Sequence, residues 1–406
     1  MDSVIYFDNN ATTRLAPEAL AAMQPFLTEL YGNPSSIHGF GSQVAQKIQE
    51  AREQVAALLG AADPIEIVFT SCGTEGDNAA IRGILESQPQ KRHIVTTQVE
   101  HPAVLSLCQH LEKKGYRVTW LRVDADGMLD LEELKASLSD DTALVSIMYA
   151  NNETGVIFPI DAIGAIVKAR GIPFHVDAVQ VAGKIPLNLR QSPVDLLTIS
   201  AHKFHGPKGV GALYVRRGIT FRPFMIGGHQ ERGRRGGTEN VAGIVGMGKA
   251  AELALGNMPE DEPRVRGLRD RLEQSLLESC PESRVNGHRE KRLPNTLNMS
   301  FKFLEGEAIL VLLDQNGICA STGSACTAGS SEPSHVLRAM GVPPDWIQGA
   351  VRFSLSRYTT ETEVEFVNQK LPSIVQRLSG LSALGKLAKK SELERGDYGN
   401  QVGARR

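Results

Sequence analysis

Between residues 65 and 215, short β-branched runs alternate with stretches of helical period, and no other feature of the chain restricts its fold as strongly. Residues 65–70, 93–97, 117–123, 143–148, 174–177, 196–200 and 211–215 read as strands. Residues 102–114, 131–138 and 160–170 space their apolar side chains as helices do. Strand, helix and strand in succession require right-handed crossovers. The expected fold class is therefore α/β, with a mostly parallel seven-stranded sheet covered on both faces. A further helix is expected at 41–59, closed by Gly60. Past residue 255 the texture changes to a charged helix at 261–280, strands near 297–303 and 317–320, and a helix at 305–313, which reads as a smaller α+β domain. The expected division is an N-terminal segment of the small domain (1–14), a large domain (15–255), the small domain (256–384) and a polar tail (385–406).

Charge excludes several functions. Lys and Arg number 44 against 46 Asp and Glu, a net charge of −2, so nothing favours nucleic acid or an anionic membrane as partner. No apolar run approaches the ~18 residues of a spanning helix, and the first residues carry no basic, apolar leader. Five cysteines, none spaced C-x-x-C, argue against a disulfide framework or structural zinc and for a reducing compartment. A cytoplasmic enzyme is expected.

Lys203 follows the run 196–200, at the rim where α/β sheets bind ligands, and Asp177 ends the preceding strand. Most lysines are surface residues, so the pairing is what singles out Lys203. An amine and a carboxylate so placed suit pyridoxal phosphate (PLP): one forms a Schiff base, the other keeps the pyridine nitrogen protonated. S-x-x-K also opens a β-lactamase signature, but no S-D-N or K-T-G occurs here. His202 and His205 have no obvious carboxylate or cysteine to complete a metal set.

The first strand runs through Gly73 and Thr74 into a helix, a turn whose free backbone N–H groups make an anion site. A plain N-cap at Thr74 is the competing reading. Neither an NTPase P-loop nor a G-x-G-x-x-G after the first strand is present. In 320–331, every residue except Cys326 is Gly, Ala, Ser or Thr, so a mobile loop is expected. An exposed thiol of ordinary pKa is only a few per cent thiolate, so Cys326 needs a base or cation nearby to act as nucleophile.

Taken together, FDNNATT, TEGDNAA, EHPAVL, ANNETG, HVDAVQ, SAHKFHGPKG, GGHQERGRRGGTEN, GSACTAGSSEPSHVLRAMG and VRFSLSRYTT, in this order, resemble the cysteine desulfurases of the class V aminotransferase family. Their wording is most similar to the nitrogen-fixation, NifS-like type. The resemblance implies PLP-dependent transferase fold type I and conversion of L-cysteine to L-alanine, with sulfur passed to an enzyme persulfide for iron–sulfur cluster assembly, nitrogenase clusters in particular. It implies that Lys203 carries PLP, that Asp177 pairs with the pyridinium and that Gln180 bonds the ring oxygen. Gly73, Thr74, Ser200 and His202 would bind phosphate, joined by Thr238 from the neighbouring subunit of a homodimer. His101 would stack on the ring and serve acid–base steps. Asn152 would contact cofactor or substrate, and Arg352 the substrate carboxylate. Cys326 would be the sulfur-accepting nucleophile and a transient iron–sulfur ligand shared with a scaffold protein, the sulfur acceptor. Ala201 stands where Gly is common and Thr322 where Ser is common; neither change removes a reacting group. A selenocysteine lyase, an aminotransferase on the same scaffold and a non-catalytic iron–sulfur carrier are the rival readings.

Overall fold

The computed structural model describes residues 4–322 and 333–381. Its first strand, β1 (Ile5–Tyr6), is followed by the seven strands of the main sheet: β2 (Ile67–Thr70), β3 (His93–Thr97), β4 (Arg117–Leu121), β5 (Thr142–Ser146), β6 (Phe174–Asp177), β7 (Leu196–Ser200) and β8 (Gly211–Val215). Their order is β2-β8-β7-β6-β5-β3-β4. β8 runs antiparallel to both its neighbours, and the other neighbouring pairs are parallel. The interior strands β5, β6 and β7 are buried along their whole length, as expected where helices cover both faces.

Three further strands, β9 (Ser283–Val285), β10 (Thr296–Phe301) and β12 (Ala350–Ser354), form an antiparallel sheet of order β12-β10-β9. The two-residue β11 (Ile318–Cys319) pairs in parallel with β1. A second core gathers here, containing Phe301, Phe353, Leu272 and Leu371, and the N-terminal Ile5 and Phe7 are buried in it.

One helix departs from expectation. Where the sequence suggested a helix from 261, a single helix runs from Val241 to Ser279 with Pro259 and Pro263 inside it. Prolines and closely spaced glycines ordinarily mark a boundary. Here the glycines are packing devices: a Cβ on Gly248 would lie 2.6 Å from Ala51 Cα, and one on Gly246 would lie 2.6 Å from Met23. Helix Gly39–Leu59 therefore lies hard against it and is closed by Gly60 at φ +60°.

The loop after β8 is clamped by a buried ion pair. Arg52 donates from Nη1 to Glu231 Oε2 at 2.7 Å and from Nη2 to Oε1 at 2.8 Å, and Phe69 N–H donates to the same carboxylate. Arg235 grips Glu75 in the same way. Removing one partner of a buried pair leaves an uncompensated charge. Arg52→Met is expected to cost about 3–5 kcal/mol in denaturant unfolding, and Arg52→Met with Glu231→Gln clearly less. Equal losses in the two variants would show that the pairing is not what stabilises the loop.

Candidate active site

Parallel strands deliver their functional groups to their carboxyl ends. Asp177 is the last residue of β6, Ser200 is the last of β7, and Lys203 follows in one 3₁₀ turn. His101 lies four residues beyond β3, capping helix Pro102–Lys113. The structure brings these groups together: the charge of Lys203 acts on His101, His202 and Asp177.

Lys203 Nζ is held by main-chain oxygens, donating to Asn10 O at 2.5 Å and to Ala11 O at 2.9 Å. Asp177 is buried and accepts from Val179 N–H at 2.9 Å. Burial pushes its carboxyl up, while that N–H and the Lys203 charge draw it down. Two more buried acids lie near it. Asp77 and Glu100 are both raised by burial, Glu100 to about 8. His101 accepts at Nδ1 from Ala103 N–H at 3.1 Å, which leaves its ring proton on Nε2. Burial first, then the charges of Lys203 and His335, lowers its pKa to about 4.

The glycine turn expected to bind an anion lies beside these groups. Helix Gly73–Ser87 begins at Cys72, whose side chain makes no capping bond. A Cβ on Gly73 would lie 2.8 Å from Val179 Cγ2 and 3.7 Å from Ser200 Cβ, so only glycine fits there, and the turn abuts Ser200. Ser200 Oγ is buried without a hydrogen-bond partner. His202 Nδ1 lies 3.1 Å from Thr12 Oγ1.

Arg352 enters from β12. It is buried and donates to Asp8 Oδ1 at 2.7 Å and to Asn152 O at 3.0 Å. Its main chain also holds Ser321: Arg352 N–H donates to Ser321 O at 2.6 Å, and Ser321 N–H to Arg352 O at 3.2 Å. At the other end of the small-residue segment, Ser334 Oγ donates to Glu153 Oε2 at 2.5 Å and His335 Nε2 lies 3.0 Å from Glu100 O, the residue before His101. Both stems of that segment are thus fastened to the site, while Cys326 itself lies outside the described residues. Gln180 is occupied at both ends, by Asn10 O and by Lys184 Nζ. Thr238 is exposed beside Ser71 and Arg235.

Sequence reasoning did not single out Asn10, Asp8 or Lys184. Asn10 and Asp8 stand inside the FDNNATT motif, and Lys184 sits four residues after Gln180; only the fold shows what each one touches. Among the described residues, no group of three or more His, Cys, Asp or Glu could hold a metal ion, and no helix is long and apolar enough to cross a membrane.

Residues 5–367 match the aminotransferase class-V family. The chain belongs to that family. Within it, the chain is 64% identical over 380 residues to the cysteine desulfurase of Trichormus azollae, covering 94% of this chain and 95% of that one. It is 54% identical over 378 residues to the cysteine desulfurase NifS of Azotobacter vinelandii, covering 93% and 94%. A solved NifS-like protein superposes with a TM-score of 0.87 at 44% identity, over 93% of this chain and all of the other. Class-V aminotransferases and their desulfurase members are PLP enzymes, and this site fits that cofactor. The orphaned Ser200 Oγ, the uncapped helix start and the glycine that admits no Cβ suit its phosphate, and buried Asp177 suits its pyridinium.

A folded pKa near 4 keeps the His101 ring neutral throughout the physiological range. Because the unfolded chain takes up that proton first, this group's contribution to stability is present above about 6.5 and is lost as pH falls through the window down to 4. The His101 imidazole resonances of the cofactor-free protein are expected not to titrate between pH 6 and 8. A midpoint near 6.5 would contradict the burial described here.

Proposed function

We propose that this class-V aminotransferase is a cysteine desulfurase: L-cysteine gives up its sulfur to the Cys326 thiol, and L-alanine leaves. The balance is simple. The Cys326 thiolate attacks the substrate sulfur, an S–S bond forms, the substrate C–S bond breaks, and its electron pair takes a proton at Cβ. When bound, PLP supplies the electron sink that lets the Cα–H bond break.

The chain's own residues do the rest. Arg352, its guanidinium oriented by Asp8 and the Asn152 carbonyl, binds the substrate carboxylate. Lys203 Nζ takes the Cα proton and returns it. His101, neutral with its proton on Nε2, donates a hydrogen bond toward the reacting sulfur. Gly73, Thr74, Ser200 and His202 hold the cofactor phosphate, and Asp177 and Gln180 hold its ring.

The observation that carries this reading is the fastening of the Cys326 segment. Ser321 is bonded to Arg352, and Cys326 follows Thr322 by four residues, a reach of at most about 14 Å. The thiol therefore stays tethered to the place where the substrate carboxylate is held. Three of the other four cysteines fare worse as nucleophiles: burial raises the thiols of Cys108, Cys280 and Cys319.

The protein acts as a cytoplasmic homodimer, with Thr238 of each chain completing the neighbouring phosphate site. Exposed apolar residues on the same loop, Phe224, Met225 and Ile226, suit such a contact. The two cores suit a division into a large domain and a small one joined along Val241–Ser279. The persulfide passes to an iron–sulfur scaffold protein, and Cys326 is a transient cluster ligand during that transfer; the resemblance of the motifs to the nitrogen-fixation type favours nitrogenase cluster supply.

Two variants test the division of labour. Lys203→Ala is expected to lose the visible absorbance near ~400 nm that a lysine-bound PLP gives. Cys326→Ala is expected to keep it and to lose sulfide release from L-cysteine by at least about a thousandfold. Normal desulfuration by Cys326→Ala would overturn the nucleophile assignment.

A further inference from the structure

A second amine stands beside Lys203. Lys184 is half-buried and lines the same pocket as Lys203. Its Nζ donates to Gln180 Oε1 at 2.9 Å and to Asn10 Oδ1 at 3.3 Å, both neutral oxygens. Gln180 in turn donates from Nε2 to Asn10 O at 2.9 Å, the same carbonyl that receives Lys203 Nζ. Asn10 is fully buried and fixed on its remaining sides. Its Nδ2 donates to Thr296 Oγ1 and Asn152 O, its N–H to Ser354 Oγ, and its Oδ1 also accepts from Asn295.

The donor count fits an uncharged amine. A neutral lysine has two N–H bonds, and two acceptors are in place; an ammonium would bring a third donor and call for an anion. The charged groups around it point the same way. Lys203 and Arg352 repel a positive charge there. Of the acids lining the same pocket, Asp261 is paired with Arg264 and Arg357, and Glu262 with Arg266. Desolvation pushes the Lys184 amine well below the usual lysine range.

We infer that Lys184 is a positioning residue for the PLP reaction: as a neutral donor it fixes which way the Gln180 amide faces and, through Asn10, where the Lys203 amine is held. With Oε1 committed to Lys184 and one N–H to Asn10 O, Gln180 has one N–H left, and this is the group that would be offered to the cofactor ring oxygen. Flipping the amide would set two oxygens against each other at Asn10. This rests on the PLP reading of Lys203, and the two are separable. If the purified holoprotein shows no visible band that Lys203→Ala abolishes, the PLP reading fails, whatever Lys184 does.

The test uses purified holoenzyme with Lys184→Met and Lys184→Gln, read by the pH titration of the visible band and by steady-state kinetics with L-cysteine. Lys184→Met keeps the stem and removes the donor. It is expected to move the band's pH midpoint by about one unit and to lower kcat about tenfold, with KM changed less than twofold. Lys184→Gln restores a neutral N–H donor and is expected to recover most of both. If Lys184→Met does not fold, Lys184→Gln alone decides: a midpoint within about 0.3 units of the wild type supports the inference, and a larger shift overturns it. A folded Lys184→Met with unaltered midpoint and kcat overturns it as well. So does a loss in thermal stability with no spectral change, which would make Lys184 a packing residue only.

Discussion

The site depends on one short stretch near the N-terminus, which turns at residues 9–11, with Ala11 N–H bonded to Asp8 O. Residues 7–13 are fastened on both sides: Phe7 N–H donates to Cys319 O, Asn9 N–H to Ser354 O, and Thr13 N–H to His202 O. The first two bonds reach the small-sheet side and the third reaches the turn that carries Lys203. The carbonyls between them, of Asn10 and Ala11, hold the Lys203 amine. A residue numbered near the start of the chain therefore sets the position of an amine some two hundred residues later. Any shift between the two cores is felt at that amine.

Burial organises the chemistry around this stretch. Carboxyls in the site are raised and imidazoles lowered, because the low-dielectric interior disfavours both kinds of charge. His175, beneath the sheet rim, is lowered to about 3 and satisfied by Ser146 and Thr198 as a neutral ring. A site made of mostly neutral groups leaves the charge of a bound phosphate, pyridinium or substrate carboxylate as the dominant local field. In the proposed reaction each such charge would meet a prepared partner: a helix start, Asp177 or Arg352.

Much of the fold could be read from the sequence. Four of the seven main strands (93–97, 174–177, 196–200 and 211–215) coincide with the structure's bounds, because strands buried along their whole length read as short apolar runs with sharp ends. The Val241–Ser279 helix was harder to read, since its prolines and glycines signal a break locally, while the close packing of Gly246 on Met23 and of Gly248 on Ala51 is visible only in the fold. At the site, motif residues such as Lys203, Asp177 and Ser200 stand on strand ends that the pattern already marks. What Arg352 and Gln180 touch was not legible. Asp8 and Lys184 reach them across long sequence separations or irregular turns, and no periodicity encodes such contacts.

The proposed activity joins a rigid amine to a tethered thiol, so the most direct measurement asks where the sulfur goes. The holoenzyme is mixed with limiting L-cysteine, quenched with an alkylating reagent, digested and analysed by mass spectrometry. One additional sulfur atom on the peptide containing Cys326, formed in step with alanine, is the expected result. Alanine formed while Cys326 stays unmodified, or the extra sulfur found instead on Cys72 or Cys319, would contradict it.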